Sequence, residues 1–211
     1  MIKKQFELTG KCNLRCEFCY NKEKLGKWNS LSEDFVLDKS GTGNLIFLGG
    51  GEPSLYSGIE ALVKKLTDNE NTVVISTNGI KYIELPKKNI LIQINLPSIN
   101  EDTYKEITGR GLVLKDVVRN IDAYKREHEE RVYINFVAYD KNFSQLEEIA
   151  CFCKEKEIPL CVSELMPIEG INSINERKLK EKCVELAINL TKVYFAKKDW
   201  REMEYFVPDE K

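Results

Sequence analysis

Three thiols crowd the stretch "CNLRCEFCY", where Cys12, Cys16 and Cys19 stand within eight positions of one another. Structural zinc takes four ligands as a rule, and ordinary iron–sulfur clusters are held by four cysteines. Three thiolates on a four-iron cluster leave one iron open to a further ligand. A zinc knuckle would need a fourth Cys or His close by, and the sole histidine, His128, reads as a solvated residue on a charged helix face. Farther on, "GGGEP" (Gly49 to Pro53) is a turn whose backbone can approach a ligand with no Cβ in the way. Cys151, Cys153, Cys161 and Cys183 sit among apolar residues and read as small buried core residues. Cys151 and Cys153, two apart on a helix, face different ways and make a poor chelating pair.

The elements that must carry these residues alternate. Strand patterns occur at "KQFELTG", "NLIFLGG", "TVVISTNG", "NILIQINLP", "RVYINFVAYD" and "PLCVSELMP". Helical patterns lie between them: "LSEDFVLDKS", with Ser30 or Ser32 as N-cap, then "SGIEALVKKLTDN", "DVVRNIDAYKREHEE" and "FSQLEEIACFCKEKE". A final helix is expected from about Asn175 to Lys197, with Leu179, Cys183, Leu186 and Leu190 on one face. Six strands alternating with helices predict an α/β fold with a parallel sheet, because each parallel crossover needs a helix to return the chain. Functional loops in such folds gather at the C-terminal ends of strands. The cysteine loop, "GGGEP", "STNG", "NLPS", "YDKN" and "ELMP" all fall there, on one rim. Residues 1–197 read as one core domain, and the sequence offers no placement for the tail 198–211.

At 211 residues the chain can bury a real core, and no apolar run approaches the length of a membrane span. The formal charge of −2 comes from interspersed acids and bases, so neither a membrane nor a nucleic-acid partner is expected. "MIKKQFELTG" has no apolar h-region, and seven cysteines without an export signal argue against a disulfide framework; a cytoplasmic location follows.

Taken together, these motifs resemble the radical S-adenosylmethionine (SAM) superfamily. Cys12, Cys16, Phe18 and Cys19 match its C-x3-C-x-aromatic-C signature, and "GGGEP" matches its Gly-Gly-Glu element after strand two. The resemblance covers about Phe6 to Gly170 and implies a partial (β/α)6 barrel. It implies a [4Fe–4S] cluster on Cys12, Cys16 and Cys19, with SAM on the open iron. SAM contacts are implied for Phe18, by the adenine, and for Gly50, Gly51 and Glu52 of the glycine turn. Ser76, Thr77 and Asn78 fall where relatives place polar contacts, and Asn95 stands where the family often has a serine. Pro97 takes the place of that element's acid. Arg110 could reach a carboxylate, and Met166 aligns with a residue abutting the adenine. No further catalytic residue is assigned. On this reading Gly51→Val weakens SAM binding and leaves the cluster in place.

The chemistry implied is reductive cleavage of SAM and hydrogen abstraction, with an electron donor such as flavodoxin or ferredoxin. Within the superfamily, "INLPSINEDTYKEITGRG" through "ELMPIEG" most resembles the GTP 3′,8-cyclase branch and its peptide-maturase relatives. Nothing after Cys183 resembles the cyclase's C-terminal extension with its three cysteines and arginine pair, and Arg177 and Arg201 are too far apart to mimic that pair. A peptide or protein substrate is therefore expected. A glycyl-radical enzyme activase, a cyclase-like nucleotide-modifying enzyme and a non-enzymatic iron–sulfur electron carrier are the alternatives. The activase loop usually reads Cys-His-Asn where this chain has Cys19-Tyr20-Asn21.

Overall fold

The computed structural model describes residues 1–189, 193–196 and 203–208. Strands β1 (Lys3–Glu7), β2 (Leu45–Gly49), β3 (Thr72–Thr77), β4 (Ile90–Asn95), β5 (Val132–Ala138) and β6 (Leu160–Glu164) occupy the six expected places. Helices α1 (Glu33–Ser40), α2 (Ile59–Asp68), α3 (Glu101–Thr108), α4 (Leu114–His128) and α5 (Leu146–Glu155) return the chain between them. Ser32 is the N-cap of α1, accepting the Phe35 N–H, and Asn100 caps α3 by accepting from Thr103.

The C-terminal part departs from expectation. Helix α6 spans Glu176–Asn189, and Val193–Ala196, expected as helix, forms strand β7 beside β6. "VYFA" is a short β-branched and aromatic run that fits a pleated edge better than a helix end. Within the tail, Met203–Phe206 form β8, parallel to β1. Leu190 and Arg201 lie outside the described residues. The sheet order is β7-β6-β5-β4-β3-β2-β1-β8, and every described ladder is parallel.

Each central strand has two unlike faces. Ile46, Leu48, Ile75, Ile92, Ile134 and Val162 are fully buried against the helices. The alternate positions, Ser76, Gln93, Asn95, Tyr133, Asn135 and Ser163, face inward and carry polar groups. Parallel strands covered on both faces usually read as continuous apolar runs. Here the polar face marks the lumen of the partial barrel.

Two sequence readings need correction. His128 is buried (1% exposed) because it extends the apolar stripe Val117, Ile121, Tyr124 along α4, its ring centroid 6.3 Å from that of Tyr124. Of the four outlying cysteines, Cys153 and Cys183 are buried, Cys161 is half-buried, and Cys151 is exposed because the buried stripe of α5 runs through Leu146, Ile149, Ala150 and Cys153.

Candidate active site

The cysteine loop leaves β1 and is fixed by backbone on two sides. On one side the glycine turn after β2 donates to it: Gly51 N–H to the Thr9 carbonyl at 2.7 Å, and Glu52 N–H to that of Lys11 at 2.8 Å. On the other side Arg15 and Glu17 donate from their backbone to Thr108 and Ile107 at the end of α3, at 2.9 and 3.0 Å. Arg110 adds a guanidinium bond to the Asn13 carbonyl at 3.1 Å, and Asn78 Nδ2 reaches Asn13 Oδ1 at 2.7 Å.

The glycines are explained by this contact. A Cβ on Gly51 would lie 2.1 Å from the Lys11 carbonyl oxygen and 2.9 Å from that of Thr9, so the loop itself would have to move. Gly50 has φ +109°, and a Cβ there would press on the backbone of Glu7, Leu8 and Thr9 at 3.0 Å. A valine at Gly51 would meet the cysteine loop itself, so the cluster is now expected to weaken together with SAM binding.

Glu52 is 1% exposed. Its oxygens accept from the Thr77 hydroxyl at 2.6 Å, the Asn78 N–H at 2.8 Å and the Ser54 N–H at 3.0 Å. Burial raises its pKa, and these three bonds oppose the rise. The carboxylate thus latches the end of β2 to the end of β3. Asn120 on α4 holds the following turn through the Gly79 and Ile80 carbonyls at 2.8 and 3.0 Å.

The thiols of Cys12, Cys16 and Cys19 are half-buried and carried on one loop. Burial pushes the Cys12 thiol up to about 11, against the pull of the Leu14 N–H, whose nitrogen lies 3.4 Å from Sγ. Burial and then the neighbouring Cys19 and Cys12 raise Cys16. Cys19 is raised by burial, with the Asn21 N–H opposing and Glu7 adding to the rise. Thiols held in this way need a metal's positive charge to stay ionised. Among the described residues no three His, Cys, Asp or Glu side chains converge on one metal ion. A multi-iron cluster takes one thiolate on each iron, so three cysteines on one loop can hold it.

The sequence-predicted residues fall into three groups. Gly51, Glu52, Thr77, Asn78 and Arg110 form the hydrogen-bonded frame of the cysteine loop, and Gly50 packs close to the backbone of Glu7, Leu8 and Thr9. Ser76 and Asn95 meet inside the barrel, Asn95 Nδ2 to Ser76 Oγ at 3.0 Å. Phe18 packs near Tyr139, ring centroids 5.7 Å apart, and Met166 lines a cleft of about 450 Å³ with Leu165, Ile168 and Ile171. A second cleft of about 570 Å³ lies between the cysteine loop (Glu17, Cys19, Tyr20) and Pro167–Ile171.

Sequence reasoning missed Asn13, which receives both Arg110 and Asn78, although it stands inside the quoted loop. It also missed the lumen network. Ser163 Oγ donates to Asn135 Oδ1 at 2.6 Å, Asn135 Nδ2 to Asn95 Oδ1 at 2.8 Å, and Tyr133 to Gln93 Oε1 at 3.0 Å. The period-2 polar positions of "ILIQIN" and "VYINFVA" were the available signal.

A family model described as the Radical SAM superfamily matches residues 6–153. A GTP 3′,8-cyclase of Alkaliphilus oremlandii is 32% identical over 180 residues, covering 78% of this chain and 56% of the relative. The chain thus spans little more than half the length of that curated relative. The crystal structure of Streptococcus suis SuiB aligns with TM-score 0.73 at 18% identity, covering 94% of this chain and 49% of SuiB. SuiB bound to its precursor peptide SuiA aligns with TM-score 0.72 at 19% identity, with the same coverage. These likenesses to SuiB show the fold, a partial radical SAM barrel. By the family match, over most of its length, the chain belongs to the Radical SAM superfamily, whose cofactors are a [4Fe–4S] cluster and SAM.

Proposed function

We propose that this chain is a radical SAM enzyme in which Cys12, Cys16 and Cys19 hold the cluster and the rim above the lumen receives SAM. The observation that carries the reading is the backbone contact between the cysteine loop and the glycine turn, at 2.7 and 2.8 Å. With an electron from an external donor, the cluster held by Cys12, Cys16 and Cys19 together with SAM would supply reductive C5′–S cleavage and hydrogen-atom abstraction. The chain's own residues frame the site. Gly50, Gly51 and Glu52 set the loop, Thr77, Asn78 and Arg110 brace it, and Ser76 and Asn95 offer uncharged donors for SAM. Phe18 and Met166 offer apolar surface for its adenine.

The substrate we assign is a peptide or protein. The described inward-facing residues of β3 to β6 include no Lys or Arg, and their polar groups are amides and hydroxyls. A triphosphate would find no charge-assisted donors there, whereas peptide amides match such a surface. Three rim cations are engaged, Arg110 on Asn13, Arg15 on the Cys12 and Leu14 carbonyls, and Lys141 on Glu17 and Glu106, while Lys22 lines the second cleft. SuiB's complex with a precursor peptide supports this class. The similarity to a GTP 3′,8-cyclase favours a second reading, nucleotide cyclisation.

We place the enzyme in the cytoplasm, supported by free thiols at all seven cysteines, with a flavodoxin or ferredoxin as electron donor. No helix among the described residues is long and apolar enough to cross a membrane. Anaerobic turnover with SAM and either GTP or candidate peptides, following 5′-deoxyadenosine and product mass, separates the readings. Peptide-stimulated deoxyadenosine with an altered peptide mass supports ours; a cyclised GTP product contradicts it.

A further inference from the structure

Glu7 closes β1 with its side chain fully buried, yet four donors from separated parts of the chain reach its carboxylate. Gln5 Nε2, the Tyr20 hydroxyl and the Tyr205 hydroxyl donate to Oε1 at 2.6, 2.7 and 2.9 Å, and Asn21 Nδ2 donates to Oε2 at 3.0 Å. An isolated carboxylate at such a position would be costly to bury; bonds of this kind offset the cost and fix the donors in place.

The choice of donors is informative. Tyr20 and Asn21 directly follow Cys19, and Tyr205 comes from β8, 198 residues away in sequence from Glu7. Asn21 acts twice: its side chain holds Glu7, and its backbone N–H faces the Cys19 sulfur. Its carbonyl accepts from Lys24 and Leu25, which fixes the turn beyond. On the opposite face of β1, Phe6 stacks on Phe206 at 4.7 Å and 12°, so β8 holds Tyr205 in register.

We propose that Glu7 is a positioning residue for the cluster: it fixes the turn after Cys19, ties that turn to β8, and places a negative charge beside the ligand. The proposal rests on Cys19 being a cluster ligand. Hydrogen bonds to ligand sulfur and local charge both set cluster potential, so Glu7 governs how firmly the cluster is held and the potential at which it accepts an electron.

Two variants separate charge from tether. Glu7→Gln keeps the size and most of the bonds, since the Asn21 amide can turn its oxygen toward the new N–H₂, but it removes the charge. Its midpoint potential should shift positive at wild-type iron content. Tyr205→Phe keeps the charge and removes one donor from a ring that is 44% exposed, so it opens no cavity; its cluster should release iron to a chelator several-fold faster. Both preserve packing, so the test does not depend on a truncation such as Glu7→Ala folding. The experiment uses anaerobically reconstituted full chain, with iron and sulfide analysis, an EPR-monitored redox titration and chelator release. A wild-type chain that takes up no cluster refutes the ligand assignment. A loaded wild type, an unshifted potential in Glu7→Gln and an unchanged release rate in Tyr205→Phe overturn the Glu7 proposal alone.

Discussion

Around β1 and β2 the loops meet backbone to backbone: Gly51 on Thr9, Glu52 on Lys11, and glycines where a Cβ would strike a carbonyl, with the Glu52 carboxylate tying in the end of β3. Across β4, β5 and β6 the inner surface is built from side chains, with Asn95, Asn135 and Ser163 bonded in series and Tyr133 on Gln93. Backbone contact at such distances tolerates almost no substitution. Side-chain amides on a rigid strand can be exchanged for others at modest cost. The first half is thus suited to holding an invariant cofactor, and the second to adapting to a substrate.

The largest expected effect comes from the cofactor half. Replacing Cys12, Cys16 or Cys19 by Ser should abolish cluster retention and 5′-deoxyadenosine formation while the fold survives by circular dichroism. A variant retaining full iron and turnover would remove that cysteine from the ligand set. Next comes Gly51→Val. Overpacking costs roughly 1–3 kcal/mol in ordinary cores, and here the obstruction is a carbonyl oxygen 2.1 Å away that cannot rotate aside. Iron content and SAM affinity should fall together. Loss of SAM affinity with full iron would instead restore a direct ligand contact for the turn.

Much of this was legible in the sequence, for a physical reason. A glycine run records a close backbone approach that few other residue types satisfy, so Gly50 and Gly51 declare themselves, and the spacing of Cys12, Cys16 and Cys19 marks them as candidate ligands. Strand order through β6 and helices α1, α2, α4 and α5 followed from apolar periodicity, whereas the eight-residue α3 was missed. What stayed hidden depends on the fold: Glu7 and Tyr205 meet only after β8 pairs with β1, and the lumen amides become one network only when four strands align. The "VYFA" strand was obscured because a short run at the end of a helical pattern carries little periodic signal.

The substrate half should respond differently. Asn135→Leu would leave the Ser163 hydroxyl without its acceptor and Asn95 Oδ1 with only the Gln93 Nε2 contact at 3.3 Å, costing about 1–3 kcal/mol. The cluster should persist, and basal SAM cleavage, which Asn95 serves, should fall less than cleavage stimulated by a peptide substrate. Equal loss of basal and stimulated cleavage would erase the division between the halves.

The smallest effect lies away from both. Among the described residues His128 has no hydrogen-bond partner on either ring nitrogen, and its pKa is lowered from 6.5 chiefly by burial, with Lys87 and Arg131 acting the same way and Glu127 opposing. Below pH 6.5 the unfolded chain takes up this proton before the folded chain does. This contribution to stability is therefore complete above that pH and declines as pH falls through the folded-state value. Urea unfolding of wild type and His128→Leu between pH 5 and 7.5 checks it, the variant losing part of the slope. An identical slope would assign the pH dependence to other groups.

The most direct test of the whole account is anaerobic reconstitution of the full chain, followed by iron, sulfide and 5′-deoxyadenosine analysis with SAM and a strong reductant. The account predicts about four irons per chain and deoxyadenosine formation that disappears with any one of the three loop cysteines. About eight irons, a cluster that persists without Cys12, Cys16 or Cys19, or a loaded cluster that leaves SAM intact would contradict it.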